Sequence, residues 1–173
     1  MKIETMNDLY IEELRDLYSC ESQIVGALPK MIEGTQTTKL KDALKAHLTE
    51  TRGQITRLDS IFKDLEAKPT GEKCEATAGL LKEADGALED IGKGVLRDAA
   101  IIGSGQRIEH YEMSAYGTAR AYAELLGFKN HVKLLTETLD EEMNANRILN
   151  EIALSEVNTM ACAGTKETAG STK

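Results

Sequence analysis

From Val95 to Leu126 the chain runs without a proline and repeats apolar or small side chains at helical spacing, which commits it to one long amphipathic helix. At roughly 100° per residue, Ile101, Ile108, Ala115, Ala119, Ala123 and Leu126 share one face. Glu112 falls only roughly 40° from Ile108 on that wheel, inside the apolar stripe. A buried carboxylate is costly to desolvate, so this one needs a cation, a proton or a hydrogen-bonding partner. The question for the rest of the chain is whether other helices bring partners to the same depth.

Three further segments do so. The first long helix is expected to start between Thr5 and Asp8, where polar residues can cap it, and to run to about Glu33, with Pro29 kinking its last turn. Leu14, Leu17, Tyr18, Val25, Leu28 and Ile32 form its stripe, and Glu21 lies roughly 20° from Leu14. The second spans about Lys39 to Ala67 and buries Leu40, Leu44, Leu48, Ile55, Leu58, Phe62 and Leu65. His47, Glu50 and Gln54 form a polar row along one flank of that stripe. Cys74 to Lys93 reads as one or two short helices, long enough to cross a bundle from end to end. The long helix that follows stops at Gly127, a C′ glycine. The last runs from about Lys129 to Ser155, with Leu135, Leu139, Leu149 and Ala153 inward and Glu142 roughly 20° from Leu135. Residues 156–173 are small, polar and aperiodic, and are expected to be a disordered tail behind a single domain over 1–155.

With 41% hydrophobic residues, 4% aromatic, 2 prolines and no tryptophan, this pattern of long segments and few breakers is an all-α fold. The net charge of -8 argues against a nucleic-acid groove or an anionic membrane surface and leaves cations as partners. No run approaches the roughly 18 apolar residues of a membrane span, and the N-terminus lacks the basic flank and apolar stretch of a signal peptide. Cys20, Cys74 and Cys162 are odd in number and show no CxxC spacing. A disulfide framework is therefore not expected, and a reduced, cytoplasmic protein is.

Two helix pairs joined by a long crossover suggest a duplicated hairpin. His47-Leu-Thr-Glu50 aligns with Thr138-Leu-Asp-Glu141, and both are followed by Arg and Leu. Four helices each with a mid-length carboxylate are what a dinuclear metal site in a bundle requires. Two divalent ions need about four carboxylates and a nitrogen ligand or two. The candidate ligands are Glu21, His47, Glu50, Glu109, Glu112, Glu141 and Glu142. A lone Glu on a helix stripe more often reaches out to water, and Glu109, Glu137 and Glu141 also fit a solvated face. His47 reads equally as a core histidine. His110 points away from Glu112, and His131 lies near the start of the last helix, far from mid-length.

The segments Glu13-Leu-Arg-Asp-Leu-Tyr-Ser-Cys-Glu-Ser-Gln, Ala46-His-Leu-Thr-Glu-Thr-Arg-Gly-Gln-Ile, Lys73-Cys-Glu-Ala, Arg97-Asp-Ala-Ala, Glu109-His-Tyr-Glu-Met-Ser-Ala-Tyr-Gly-Thr and Glu137-Thr-Leu-Asp-Glu-Glu resemble the YciE/YciF family of ferritin-like proteins, in order over about residues 5 to 155. The resemblance implies a ferritin-like four-helix bundle with a short-helix crossover between helices two and three, a homodimer, a link to bacterial stress response and a dinuclear iron-type site. It does not imply a known reaction. The family pattern carries over onto Glu21, Glu50, Glu112 and the Glu141-Glu142 pair. The Glu-x-x-His signature is missing: Thr51 and Gln54 stand where it would fall. The nitrogen ligand is open between His47, Gln54 and none, and the last helix's ligand between Glu141 and Glu142.

The functional expectation is a stress protein whose dinuclear iron or manganese site reacts with dioxygen or peroxide. The alternatives are metal binding without turnover and a non-enzymatic dimeric scaffold. The small residues Ala115, Ala119 and Ala123 suggest a face on which a second copy packs.

Overall fold

The first helix begins where Thr5 closes a reciprocal cap. Its hydroxyl accepts from the Asp8 N–H at 3.1 Å, and the Asp8 carboxylate accepts from the Thr5 N–H at 2.9 Å, satisfying donors that a helix start leaves open. From there the computed structural model, which describes residues 2–169 (side chains to 163), is all-α, with no strand among the described residues. The elements are α1 (Met6–Gly34), α2 (Thr38–Asp64), α3 (Glu75–Asp90), α4 (Val95–Leu125), α5 (Lys129–Ile152), a π-helical turn (Ala153–Val157) and α6 (Asn158–Ala169). None of the described helices is long and apolar enough to cross a membrane.

The four long helices stand at the corners of a square. α1 packs on α2 and α4, and α5 packs on α4 and α2. At one end Tyr10, early in α1, stacks on Phe128 and His131 at the α4–α5 turn, and Asp64 at the end of α2 lies 3.6 Å from His131. At the other, Gly34 at the end of α1 rests against Leu88 and Ile101. Every neighbouring pair is therefore antiparallel. α2 ends at one face of the bundle and α4 begins at the opposite one, so the connection must travel the bundle's length. α3 does this as a single helix packed on α1 and α4, burying Thr77, Ala84 and Leu88 at helical spacing.

One carboxylate ties the far end together. Asp98, fully buried in the first turn of α4, accepts from the backbone N–H of Gln36 at 2.9 Å and of Thr37 at 2.7 Å. Thr37 is the N-cap of α2 and makes no side-chain cap of its own, so Asp98 supplies the negative group that a helix N-terminus favours. Gly127 ends α4 as expected, at φ 80°, with the Phe128 N–H reaching back to the Ala123 carbonyl at 2.9 Å. Pro29 lies inside α1, which continues to Gly34.

The interior divides into two apolar clusters. One gathers Leu28, Leu40, Leu44, Ile101, Ile108 and Leu149; the other gathers Leu14, Leu58, Phe62, Tyr116, Ala119 and Leu135. Between them, at mid-length of all four long helices, lie the buried polar side chains Glu21, His47, Thr51, Gln54, Glu109, Glu112 and Glu142.

The expected boundary at residue 155 falls within the π-helical turn. The chain does not lose structure there: it passes through the π-helical turn into α6, which packs on α4. Ala153 and Val157 belong to the first apolar cluster, and burying them holds a segment whose remaining residues are too polar to show a periodicity. Residues 170–173 of the expected tail lie outside the described residues. The Asp98 contact sets a test of the fold: Asp98→Ala should lower the free energy of unfolding by about 3 kcal/mol, because it leaves two buried N–H groups without acceptors. Urea unfolding would measure it, and a change below about 0.5 kcal/mol would show that the α1–α2 turn does not depend on α4.

Candidate metal centre

Helical spacing delivers the polar layer. Glu21 continues the stripe of Leu14 and Leu17 on α1, Glu112 that of Ile108 on α4, and Glu142 that of Leu135 on α5, so each is carried inside by its apolar neighbours. All three are fully buried. Glu109, one turn before Glu112, is 3% exposed and His47 on α2 is 7% exposed, the former against its alternative reading as a solvated face. His47, Glu109, Glu112 and Glu142 each offer a ligand atom within 4.8 Å of the others. The His47 Nε2 is 3.5 Å from the Glu109 Oε1.

Glu21 lies on the side of Tyr116, whose hydroxyl donates to its Oε1 at 2.5 Å. The Gln54 amide donates to the Glu142 Oε1 and, at 3.1 Å, to the Glu141 Oε2. Glu141 points the other way: Arg57 grips it with two nitrogens at 2.5 and 2.7 Å and donates to the Thr138 hydroxyl at 3.1 Å. Glu50 stands at the rim, 38% exposed, 4.0 Å from the His47 Nδ1. Beside it a cavity of about 50 Å³, lined by Ala43, Ala46, Ala145 and Leu149, reaches His47, Glu50 and Glu109.

Of the candidates read from the sequence, the structure thus gathers Glu21, His47, Glu109, Glu112 and Glu142 into one buried layer, leaves Glu50 at its edge and turns Glu141 to Arg57. Thr51 donates to the His47 carbonyl at 2.8 Å. His131 sits at the bundle end, 3.2 Å from the Tyr10 hydroxyl, and exposed His110 meets the Gln106 carbonyl. From the sequence, Tyr18, Tyr111, Tyr116 and Tyr122 read as core-rim residues whose hydroxyls could donate to a metal's ligands, and of these it is Tyr116 that reaches Glu21. Sequence reasoning passed over Arg57, whose only hint was its place one turn after Gln54.

The layer's electrostatics follow from burial. Desolvation, then the charge of Glu142, pushes the carboxyls of Glu21, Glu109 and Glu112 well above the usual carboxylate range. Burial raises Glu142 itself to about 7, opposed by hydrogen bonds from Glu109 and Gln54. Burial lowers His47 to about 4, so its imidazole is neutral and able to ligate. Among the described residues, the Glu21 Oε2, both oxygens of Glu112, the Glu109 Oε2, the Glu142 Oε2, the Gln54 Oε1 and the His47 Nδ1 find no hydrogen-bond partner. Buried acceptors of this kind are few in a folded chain. Oxygens and an imidazole on one plane are a donor set for a divalent ion of the iron, manganese or zinc type.

A bundle of four antiparallel helices with a traversing crossover and a mid-plane layer of carboxylates and one histidine is the architecture of a ferritin-like protein with a candidate metal centre. The chain belongs to the family described as "Domain of unknown function (DUF892)", whose model matches residues 5–162. It is 41% identical over 162 residues to Protein YciF of Escherichia coli (strain K12), covering 93% of this chain and 98% of that one. Among solved structures it is similar to the E. coli stress protein YciF, with a TM-score of 0.86 and 41% identity over 90% of this chain and 99% of that one. A second is "YcfI, a putative structural protein from Rhodopseudomonas palustris", with a TM-score of 0.83 and 48% identity over 86% and 95% of the two chains.

The raised carboxyls make metal-free stability depend on pH in a fixed direction. Below about 4.3, the ordinary Glu value, these groups are protonated in both states and the slope is flat. Above it the unfolded chain releases protons that the folded one keeps, so stability falls as pH rises, through about 7 for Glu142 and further for the other three. His47 acts oppositely between about 4 and 6.5, one group against four. Thermal unfolding of chelator-treated protein should show Tm falling from pH 5 to 8, and bound metal should reverse the trend by displacing those protons. Glu112→Leu should leave the metal-free protein no less stable at pH 7. A Tm that rises with pH without metal would contradict the shared burial of these groups.

Proposed function

We propose that the mid-plane layer binds two divalent ions, iron or manganese, and that the loaded protein reduces dioxygen or peroxide. The observation that carries this reading is the set of buried, unpartnered acceptor atoms contributed by all four long helices. Ligand atoms sit about 2.0–2.2 Å from a bound transition ion, so two of them lie at most about 4.4 Å apart, and donors already within 4.8 Å of one another need only a small closure to surround one ion. His47, Glu109, Glu112 and Glu142 would hold it. Glu21, together with Glu112 and Glu142, would hold the other. Two divalent charges balance the four carboxylates Glu21, Glu109, Glu112 and Glu142 once these give up their protons.

Two such ions supply one electron each, the pair that reduction of a peroxide consumes. The chain's own part is positional. Tyr116 fixes the rotamer of Glu21 and Gln54 that of Glu142, donors that orient ligating carboxylates. The apolar clusters above and below keep bulk water out, which strengthens every charge interaction in the layer. Arg57 holds Glu141 outside, so that the cation in the layer is not a guanidinium.

The scaffold reading has its own support. Without metal, one proton shared between Glu21 and Glu112 and one between Glu109 and Glu142 would halve the layer's charge, and a proton on each of the four carboxyls would remove it, as their raised affinity for protons favours. Metal content separates the two. Protein loaded aerobically with ferrous iron should bind about two ions per chain, the number such a site takes, and should develop a ferric absorption band. Glu142→Gln should abolish both and Glu141→Gln should spare both. Equal loss in the two variants, or no bound metal in the unmodified protein, would leave the scaffold reading standing.

We also propose a homodimer. The small residues Ala115, Ala119 and Ala123 are buried in the chain's own core and offer nothing to a second copy. Support comes instead from Met143 and Leu154, exposed by 54% and 68% and roughly 20° apart on the outer face of α5 and its extension. Sedimentation should give a dimer, and Met143→Lys should shift it toward monomer. A monomer at tens of micromolar in the unmodified protein would overturn this.

A further inference from the structure

Outside the metal layer, one group of reactive side chains is unaccounted for. Cys20 on α1 and Cys74 at the start of α3 are both buried, 0% and 1% exposed. Both sulfurs contact one hydroxyl: the Thr77 Oγ1 lies 2.9 Å from the Cys20 Sγ and 3.2 Å from the Cys74 Sγ. The Cys74 Sγ also lies 3.1 Å from the Tyr111 hydroxyl, which donates to Asp16 at 2.6 Å. The Cys74 N–H donates to the Ser19 hydroxyl at 2.9 Å, and the Cys74 carbonyl accepts from Gln23 at 3.1 Å. The start of α3 is thereby pinned to α1 with the two thiols facing each other across Thr77.

We propose that Cys20 and Cys74 are a redox-active dithiol that reduces a peroxide and closes to a disulfide joining α1 to the crossover helix. Cys74 meets the oxidant first. It is the N-cap residue of α3, and the Thr77 hydroxyl, 3.2 Å away, donates toward its sulfur. Its sequence neighbours Lys73 and Glu75 are exposed, and Tyr111 and Asp16 beside it are half-buried, so solvent is one side chain away.

The Cys74 sulfur attacks one peroxide oxygen and the O–O bond breaks. The other oxygen leaves as water, or as an alcohol from an alkyl peroxide, carrying the thiol's proton, and Cys74 becomes a sulfenic acid. The Cys20 sulfur then displaces the hydroxyl from the Cys74 sulfur, the S–S bond forms and a second water leaves with the Cys20 proton. Two thiols lose two electrons and the peroxide gains them. Closure requires the Thr77 hydroxyl to turn aside.

The experiment uses the full chain with exposed Cys162 replaced (Cys162→Ser), stripped of metal by a chelator and treated with hydrogen peroxide. Free thiols, intact mass and the peptide digest are then read. Two thiols should disappear per peroxide consumed, the mass should fall by two hydrogens, and the peptides holding Cys20 and Cys74 should be joined until dithiothreitol separates them. In the Cys20→Ser variant the reaction should stop at a sulfenic acid on Cys74 that dimedone traps. Both thiols surviving prolonged excess peroxide, or oxygen added to either sulfur without a cross-link, would overturn the proposal. Because metal is absent throughout, the outcome is independent of the proposed metal chemistry.

Discussion

The whole molecule is arranged around the cost of taking four carboxylates out of water at one depth. An unpaired ionised carboxylate loses several kcal/mol on burial, and four together repel one another as well. Only protons or cations make such a layer tolerable. The apolar clusters on either side, from Leu28 to Leu149 and from Leu14 to Leu135, supply the burial that outweighs the remaining cost. The neutral donors Tyr116 and Gln54 hydrogen-bond to the carboxylates of the layer. Arg57, a strong cation one turn from Gln54, is spent on Glu141 at the rim. An arginine turned inward would have neutralised the layer permanently. As built, its charge is left to exchangeable partners.

The position of the layer along the helices matters as much as its composition. Helix-end electrostatics fade within the first and last turns, and the layer lies at mid-length of helices that each span at least 24 residues. It is therefore untouched by helix dipoles, unlike Asp98, which works at the start of α2. The pKa values in the layer are set by burial and by one another. That places their control in side-chain packing, where a single substitution on one helix acts on all the members.

Much of the layer could be read from the wheel alone, because Glu21, Glu112 and Glu142 sit in mid-stripe and a mid-stripe residue is buried whatever packs on it. Stripe edges are different. Glu50 and Glu109 both flank their stripes, yet one is at the rim and the other is 3% exposed. What separates them is the side chain that arrives from the neighbouring helix: His47 and Glu142 close over Glu109, and nothing closes over Glu50. No single-helix pattern contains that information. The outward turn of Glu141 depends in the same way on Arg57 from α2. The helical run beyond Ser155 was invisible because Ala153 and Val157 anchor it, too few positions to make a period. The thiol pair was invisible because its members come from different helices, with no short spacing to mark them.

A layer of charge at a fixed height also acts as a ruler. Two apolar helix faces slide past each other at little cost, since one leucine resembles the next, and a slip of one turn is a displacement of roughly 5.4 Å. Here a slip of α1 would carry Glu21 from among its fellow carboxylates into the leucines on either side and drive Leu17 or Ile24 into the polar layer. The same would befall any of the other three helices. The residues that make the interior expensive thus also allow it only one axial alignment, and each long helix carries its own mark of where along the bundle it belongs.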